Sequence, residues 1–223
     1  MLKNLLFIGL VFWMTVSSAQ EKPVVLTKNF KFEDGLYLNF EDFQQNRPSL
    51  VWDELHTNLF VNPQTFIAQV FSLAKKEEKG LEPILADSIW GFSIGGIPYM
   101  RFPEGTLGKN VPVFVGLRVR GKICYMSYEE EVEKEVTISA YNPLTNVPFR
   151  QAKVNRSEKV NREWMLDFET GERIEFNREN FRHWIEDDPR FLETINSLES
   201  EEVEVKLFKC LLIYVDRNVT FIK

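Results

Sequence analysis

Gly91-Phe92-Ser93-Ile94-Gly95 carries the letters of a nucleophile elbow, G-x-S-x-G, in which a sharp turn between a strand and a helix exposes a serine hydroxyl for acyl transfer. Such a serine needs a histidine and an acid, and His183 is the only histidine downstream of it. The neighbouring residues do not read as an elbow. Gly95-Gly96 is a dipeptide that accepts the positive φ values of a tight two-residue turn, and IPYMRF after it contains Pro98 and reads as a returning strand. A hairpin over Ser88 to Phe102 is therefore expected, and His183 reads as a packing or surface residue of an amphipathic helix.

Paired carboxylates are the second candidate chemistry, since glycoside hydrolysis needs only two acids set across a cleft. The stretch DGLYLNFEDFQQNRPS, Asp34 to Ser49, gathers Asp34, Glu41 and Asp42. Asn39 stands where an N-cap belongs, however. Glu41 and Asp42 then occupy the first turn of a short helix that Pro48 ends, and negative charge there meets the positive end of the helix dipole. No histidine or lysine accompanies these acids. Asp187-Asp188-Pro189 reads in the same way, with Asp188 as an N-cap and Pro189 at the first helical position. No residue is assigned a catalytic, cofactor-binding or metal-binding role, and a hydrolase using Ser93 or a carboxylate pair stays as the alternative reading.

Two cysteines, Cys124 and Cys210, and two histidines, His56 and His183, give no C-x-x-C or H-x-x-x-H spacing for a metal. Spacing leaves open whether the cysteines pair. Neither G-x-x-x-x-G-K nor G-x-G-x-x-G occurs, so no phosphate-cradling loop is expected and no cofactor is implied. Glu129 to Glu135, EEEVEKE, lacks the glycine bend of a calcium loop and reads as a solvated strand end or loop.

Lys3, the uncharged run Leu5 to Val16 and Ser17-Ser18-Ala19 follow the order of a secretory signal, with cleavage expected near Ala19-Gln20. The apolar run has twelve residues, too few to span a hydrocarbon core of about 30 Å. No cysteine follows the small residues, so the lipoprotein pattern is missing. The expected organisation is a signal peptide over 1–19 and one domain over 20–223, with a possible boundary near 146–161, where the chain turns polar and basic. Beyond the leader, 26 basic residues stand against 33 acidic ones. That excess argues against nucleic acid and anionic lipid as partners.

The elements read as follows. Leu36, Leu38 and Phe40 form a short alternating strand; Leu50 to Phe60 is irregular; Thr65 to Lys76 is a strand and Glu77 to Pro83 a loop. Val113 to Val119 turns at Gly121-Lys122 into the strand Ile123 to Tyr128, and Val136 to Tyr141 adds another, closed by Asn142-Pro143. Asn146 to Asn161 is expected to be a mobile segment or that boundary. Trp164 to Phe168 and Ile174 to Phe176 make a hairpin about Thr170-Gly171, and Asn177 caps a helix carrying Phe181, Trp184 and Ile185. Phe191, Leu192, Ile195 and Leu198 stripe the next helix, and a heavily buried last helix starts at Ser200. The fold class expected is α+β: antiparallel meander and hairpins with short C-terminal helices packed on the sheet.

GLYLNFEDF, SIWGF and LDFETGERIEF, followed by Asp187-Asp188-Pro189 and an apolar C-terminal helix, resemble uncharacterised exported proteins of the Bacteroidetes type. Their shared pattern is G-x-Y-x-x-F-x-D-F, then I-W-G-F, then L-x-x-x-T-G-E. The resemblance implies bacterial export and no activity or cofactor. Together these readings describe an exported, non-enzymatic protein that binds an envelope or extracellular partner, periplasmic or extracellular, not membrane-spanning once the signal is removed. Trp52, Trp90 and Tyr99 are the aromatic contact candidates.

Overall fold

A computed structural model describes residues 23–103, 106–108 and 111–223. The leader and its expected cleavage point lie outside the described residues. In chain order the strands and helices are β1 (Val25–Leu26), β2 (Gly35–Tyr37), α1 (Phe40–Gln44), β3 (Leu55–Asn62), β4 (Ile67–Glu77), β5 (Gly80–Pro83), β6 (Gly91–Ile94), β7 (Ile97–Arg101) and β8 (Val113–Gly116). There follow β9 (Ile123–Tyr141), β10 (Pro148–Asp167), β11 (Arg173–Glu175), α2 (Arg178–Trp184), α3 (Pro189–Asn196), α4 (Ser200–Arg217) and β12 (Thr220–Phe221). Every strand pair among the described residues is antiparallel and three of the four α-helices, α2 to α4, gather towards the C-terminal end, so the fold is α+β.

A seven-stranded sheet runs β2-β6-β7-β8-β4-β3, with β5 also on β4; β11-β10-β9 form a second sheet, and β1 with β12 a third. Local chemistry explains the hairpins. At the β6–β7 turn Gly95 and Gly96 have φ of 63° and 77°, the left-handed values a tight hairpin turn demands, and Ser93 lies opposite Pro98. Asn39, Asn177 and Asp188 accept the backbone N–H of Asp42, Asn180 and Phe191 as N-caps of α1, α2 and α3.

The root of the β9–β10 pair is the middle layer. On one face Cys124, Met126, Tyr128 and Leu166 pack with Met100, Val113 and Val115 of the large sheet and with Tyr37, Phe43 and Phe168. On the other, Ile123, Tyr125 and Met165 meet Phe181, Ile185, Phe191, Ile195, Leu211 and Tyr214 of the helical layer. A third cluster, with Leu36, Phe92, Tyr99, Phe114 and Val70, fills the far side of the seven-stranded sheet. Burial on both faces explains why Ile123 to Ser127 is a nearly continuous apolar run.

Several expectations are corrected. Leu55 to Asn62 is a strand, with a register shift between Asn58 and Leu59, and Gly80 to Pro83, expected as loop, pairs with β4. The first strand ends at Tyr37, which is buried with Leu36, while Leu38 is exposed, so the alternation Leu36, Leu38, Phe40 fails. Glu129 to Glu135 is neither loop nor strand end: it is the middle of β9, which runs unbroken through Val136 to Tyr141. The segment 146–161, expected as a mobile segment or a boundary, largely belongs to β10 and pairs with β9 from Asp167↔Ile123 to Pro148↔Tyr141, with a register shift between Arg150 and Pro148. The last helix is buried along one face through Leu207, Leu211, Tyr214 and Val215, yet it exposes Val205 and Ile213, so it is amphipathic. Cys124 and Cys210 are free thiols in different clusters, and burial pushes Cys124 up to about 12.

One ion pair fastens the helices to the sheet. Lys122 Nζ, just before β9, reaches Asp187 Oδ2 at 2.5 Å, and Tyr214 of α4 donates to Asp187 Oδ1 at 3.1 Å. Burial opposes the Lys122 ammonium, but its bonds to Asp187 and Tyr214 overcome that and raise its pKa. The bond from Lys122 holds Asp187 below the usual carboxylate range. A depressed carboxylate stabilises above its unfolded pKa of about 3.9, and that contribution is lost as pH falls through the lower folded value. Because Asp187 is half exposed, Asp187→Asn should cost only about 0.5–1 kcal/mol at pH 7. Urea unfolding across pH should show this difference holding above about pH 4 and closing below it.

Candidate functional site

Ser93 is fully buried, and its hydroxyl donates to Asp34 Oδ1 at 3.1 Å. The same carboxylate accepts the backbone N–H groups of Gly95 and Gly96, each at 2.9 Å. Asp34 thus clasps the tight turn, satisfying donors that a left-handed Gly-Gly turn leaves unpaired. His183 is elsewhere, on α2, exposed, with Nδ1 3.0 Å from Glu186 Oε1. The structure does not bring Ser93 and His183 together. Ser93 lies in a strand, not on a strand-to-helix turn, so the G-x-S-x-G letters carry no elbow geometry.

The other acids singled out by the sequence are also structural. Asp42 sits in the first turn of α1 and accepts from Asn39 Nδ2 at 3.1 Å and from the Ser49 hydroxyl, while Glu41 accepts from Gln45 Nε2 at 3.3 Å. Among the described residues no group of three or more His, Cys, Asp or Glu is placed to hold a metal ion. Tyr99 is buried, Trp90 stacks on Phe43 at 4.4 Å, and Trp52 Nε1 donates to the Ser93 carbonyl at 2.9 Å. These aromatics belong to the core and its margin instead of offering a contact face.

Two features are left. The first is an open groove of about 540 Å³ at the root of the β9–β10 pair, between β10, the start of α2 and α4. Phe176, Phe208, Val203 and Leu207 supply its apolar lining. Some of its polar groups are engaged with one another or with backbone, while the buried Arg178 Nε has no partner among the described residues. Glu163 Oε1 accepts from Tyr125 at 2.8 Å and Asn161 at 2.9 Å, and Arg178 Nη2 donates to the carbonyls of Ile195 and Asn196. Burial, with the bond to Glu163, raises the Tyr125 pKa, so its hydroxyl remains protonated at neutral pH. The groove mixes apolar surface with polar groups, of which Glu163 is already held by Tyr125 and Asn161.

The second feature is the outer part of β9–β10, a two-stranded ribbon. Past Tyr128 and Arg162 no described strand pairs with either of its edges. From Glu129 to Tyr141 it extends about 40 Å. Register places Val132, Val136, Ile138 and Ala140 on one face with Ala152, Val154 and Val160, and Glu129, Glu131, Glu133, Glu135 and Lys153 on the other. Four ion pairs, Glu129–Lys159, Glu130–Arg162, Lys134–Glu158 and Glu135–Lys153, cross between the strands. At the far end Ile138, Tyr141, Leu144 and Val147 are exposed, Leu144 at 93%. The charged sequence hid this element. Its signal is the alternation of valine and isoleucine with charge, matched by opposite charges at cross-strand spacing.

No family model, curated protein or solved structure matches the chain.

The Asp34 clasp yields a test. Asp34→Ala, which strands the buried Ser93 hydroxyl and two turn N–H groups, should cost about 1–3 kcal/mol. Ser93→Ala should cost less, and the double variant should fall short of the sum by at least about 0.5 kcal/mol, measured by urea unfolding.

Proposed function

We propose that the chain is an exported, non-enzymatic protein that binds an envelope or extracellular partner through the outer part of its β9–β10 ribbon. The single observation that carries this reading is the exposure of Ile138, Tyr141, Leu144 and Val147 together at the end of a long unpaired arm. A two-stranded ribbon is marginal by itself in water, and an exposed apolar group at its tip contributes nothing to the packed body. Export is supported by Lys3, the apolar run to Val16 and Ser17-Ser18-Ala19, and by the resemblance to exported Bacteroidetes proteins. Among the described residues no helix is long and apolar enough to cross a membrane. The hydrolase alternative draws no support from Ser93, whose hydroxyl is buried on Asp34.

Replacing residues 134–156 by Asn-Gly, so that Glu133 turns directly into Ser157, keeps the observed register pair and removes the tip. The shortened protein should unfold within about 2 °C of the parent, because among the described residues the deleted part belongs to none of the hydrophobic clusters. Retention of envelope-fraction components should be lost. An unchanged retention profile for the shortened chain would contradict the proposal.

A further inference from the structure

Charge along the ribbon is sorted by distance from the body. Its root carries Glu129, Glu130, Glu131, Glu133, Glu158 and Glu163 against Lys159 and Arg162, whereas from Lys134 to Arg156 four basic residues, Lys134, Arg150, Lys153 and Arg156, face one acid, Glu135. The whole-chain charge of −6 therefore misdescribes this end. The acidic root stands about 27 Å from Tyr141, counted from Glu133 along the strand. The Debye length at 0.1 M salt is about 10 Å, so an anionic surface touching the tip would meet the cations and scarcely sense the body.

The tip itself is built. Asn142 N–H donates to the Val147 carbonyl at 3.0 Å, Asn146 N–H to the Asn142 carbonyl at 2.8 Å, and Leu144 N–H to Asn142 Oδ1 at 2.9 Å. Asn146 takes a left-handed φ of 52°, which asparagine tolerates. These bonds internalise part of the loop's polar backbone and hold Leu144 outward. Apolar side chains on a turn with satisfied backbone groups, backed within a few residues by Arg150 and Lys153, match a bilayer interface: hydrocarbon beneath a layer of negative headgroups.

Resting on the ribbon as the contact surface, we propose that its outer end docks on an anionic phospholipid bilayer, inserting Leu144, Val147 and Tyr141 while Arg150 meets the headgroups and Lys153, 2.7 Å from Glu135 in the free chain, exchanges that partner for them. The ribbon then holds the acidic body away from the membrane. A partner protein with an acidic, apolar surface is the competing occupant.

Flotation of the full chain, purified after export, with vesicles of phosphatidylcholine alone or containing about 30% phosphatidylglycerol separates them. Binding to the anionic vesicles alone is expected, weakening as salt rises from about 0.1 to 0.5 M. Leu144→Asp should weaken it about tenfold or more. Arg150→Glu with Lys153→Glu should do likewise, at about fivefold or more for each cation. Both variants alter exposed positions, so an unchanged circular dichroism spectrum and melting temperature confirm that a loss is not unfolding. No binding to anionic vesicles, equal binding to neutral ones, or full binding by either variant overturns the lipid assignment. If the parent ignores vesicles but the ribbon-shortened chain still loses its envelope partner, the ribbon is a contact for protein and the preceding proposal stands.

Discussion

Burial of the β9–β10 root on both faces is the constraint on which the remaining architecture depends. Met126 and Leu166 close the core under the large sheet, while one residue away Tyr125 and Met165 close the core under the helices. Successive strand residues point to opposite faces, so a single pair of strands serves two cores only if nearly every residue is apolar. Arg173 reinforces the junction, its guanidinium lying 4.5 Å from the Phe102 ring and 5.6 Å from that of Trp164 while Nη1 bonds the Arg101 carbonyl. Desolvation lowers its pKa, yet its cation–π partners and carbonyl acceptor make the half-buried charge tolerable. Once β9 passes Tyr128 no layer of the described residues covers it, and its composition changes at that residue from apolar to charged.

The same logic accounts for the side chains that look reactive. Asp34 closes a turn, Asp42 and Asp188 stand at helix starts, and Asp187 joins Lys122 and Tyr214 across two layers. Each carboxylate stabilises donors that the backbone or a neighbouring element presents, which is a structural role for residues whose types alone invite a catalytic one. The groove beside Phe208 differs in being open, but its Glu163 is already held by Tyr125 and Asn161, and Arg178 Nη2 by two carbonyls.

What was legible in the sequence was local. Caps at Asn39, Asn177 and Asp188, the Gly95-Gly96 turn and the Thr170-Gly171 turn rest on interactions within a few residues, and each is found where its chemistry places it. The outer ribbon was not legible because strand reading relies on one face being dry. Val136 to Tyr141 read as strand, but residues 129–135 and 148–161 are charged or polar and solvated on both sides, so they did not. Asp34 escaped for the opposite reason, since its partners Ser93, Gly95 and Gly96 are brought to it only by the pairing of β2 with β6. The groove, too, is assembled from three segments distant in the chain, and no spacing announces it.

A ribbon whose root is core and whose end stands free should exchange its amide protons accordingly. In residue-resolved hydrogen exchange on the isolated chain, the paired amides of 123–128 and 164–167 should open only with global unfolding. Those of 134–140 and 150–156 should exchange through local fraying at far lower free energy, with the step falling near Tyr128 and Arg162. Uniform protection along both strands, or a root that exchanges as readily as the tip, would contradict the account.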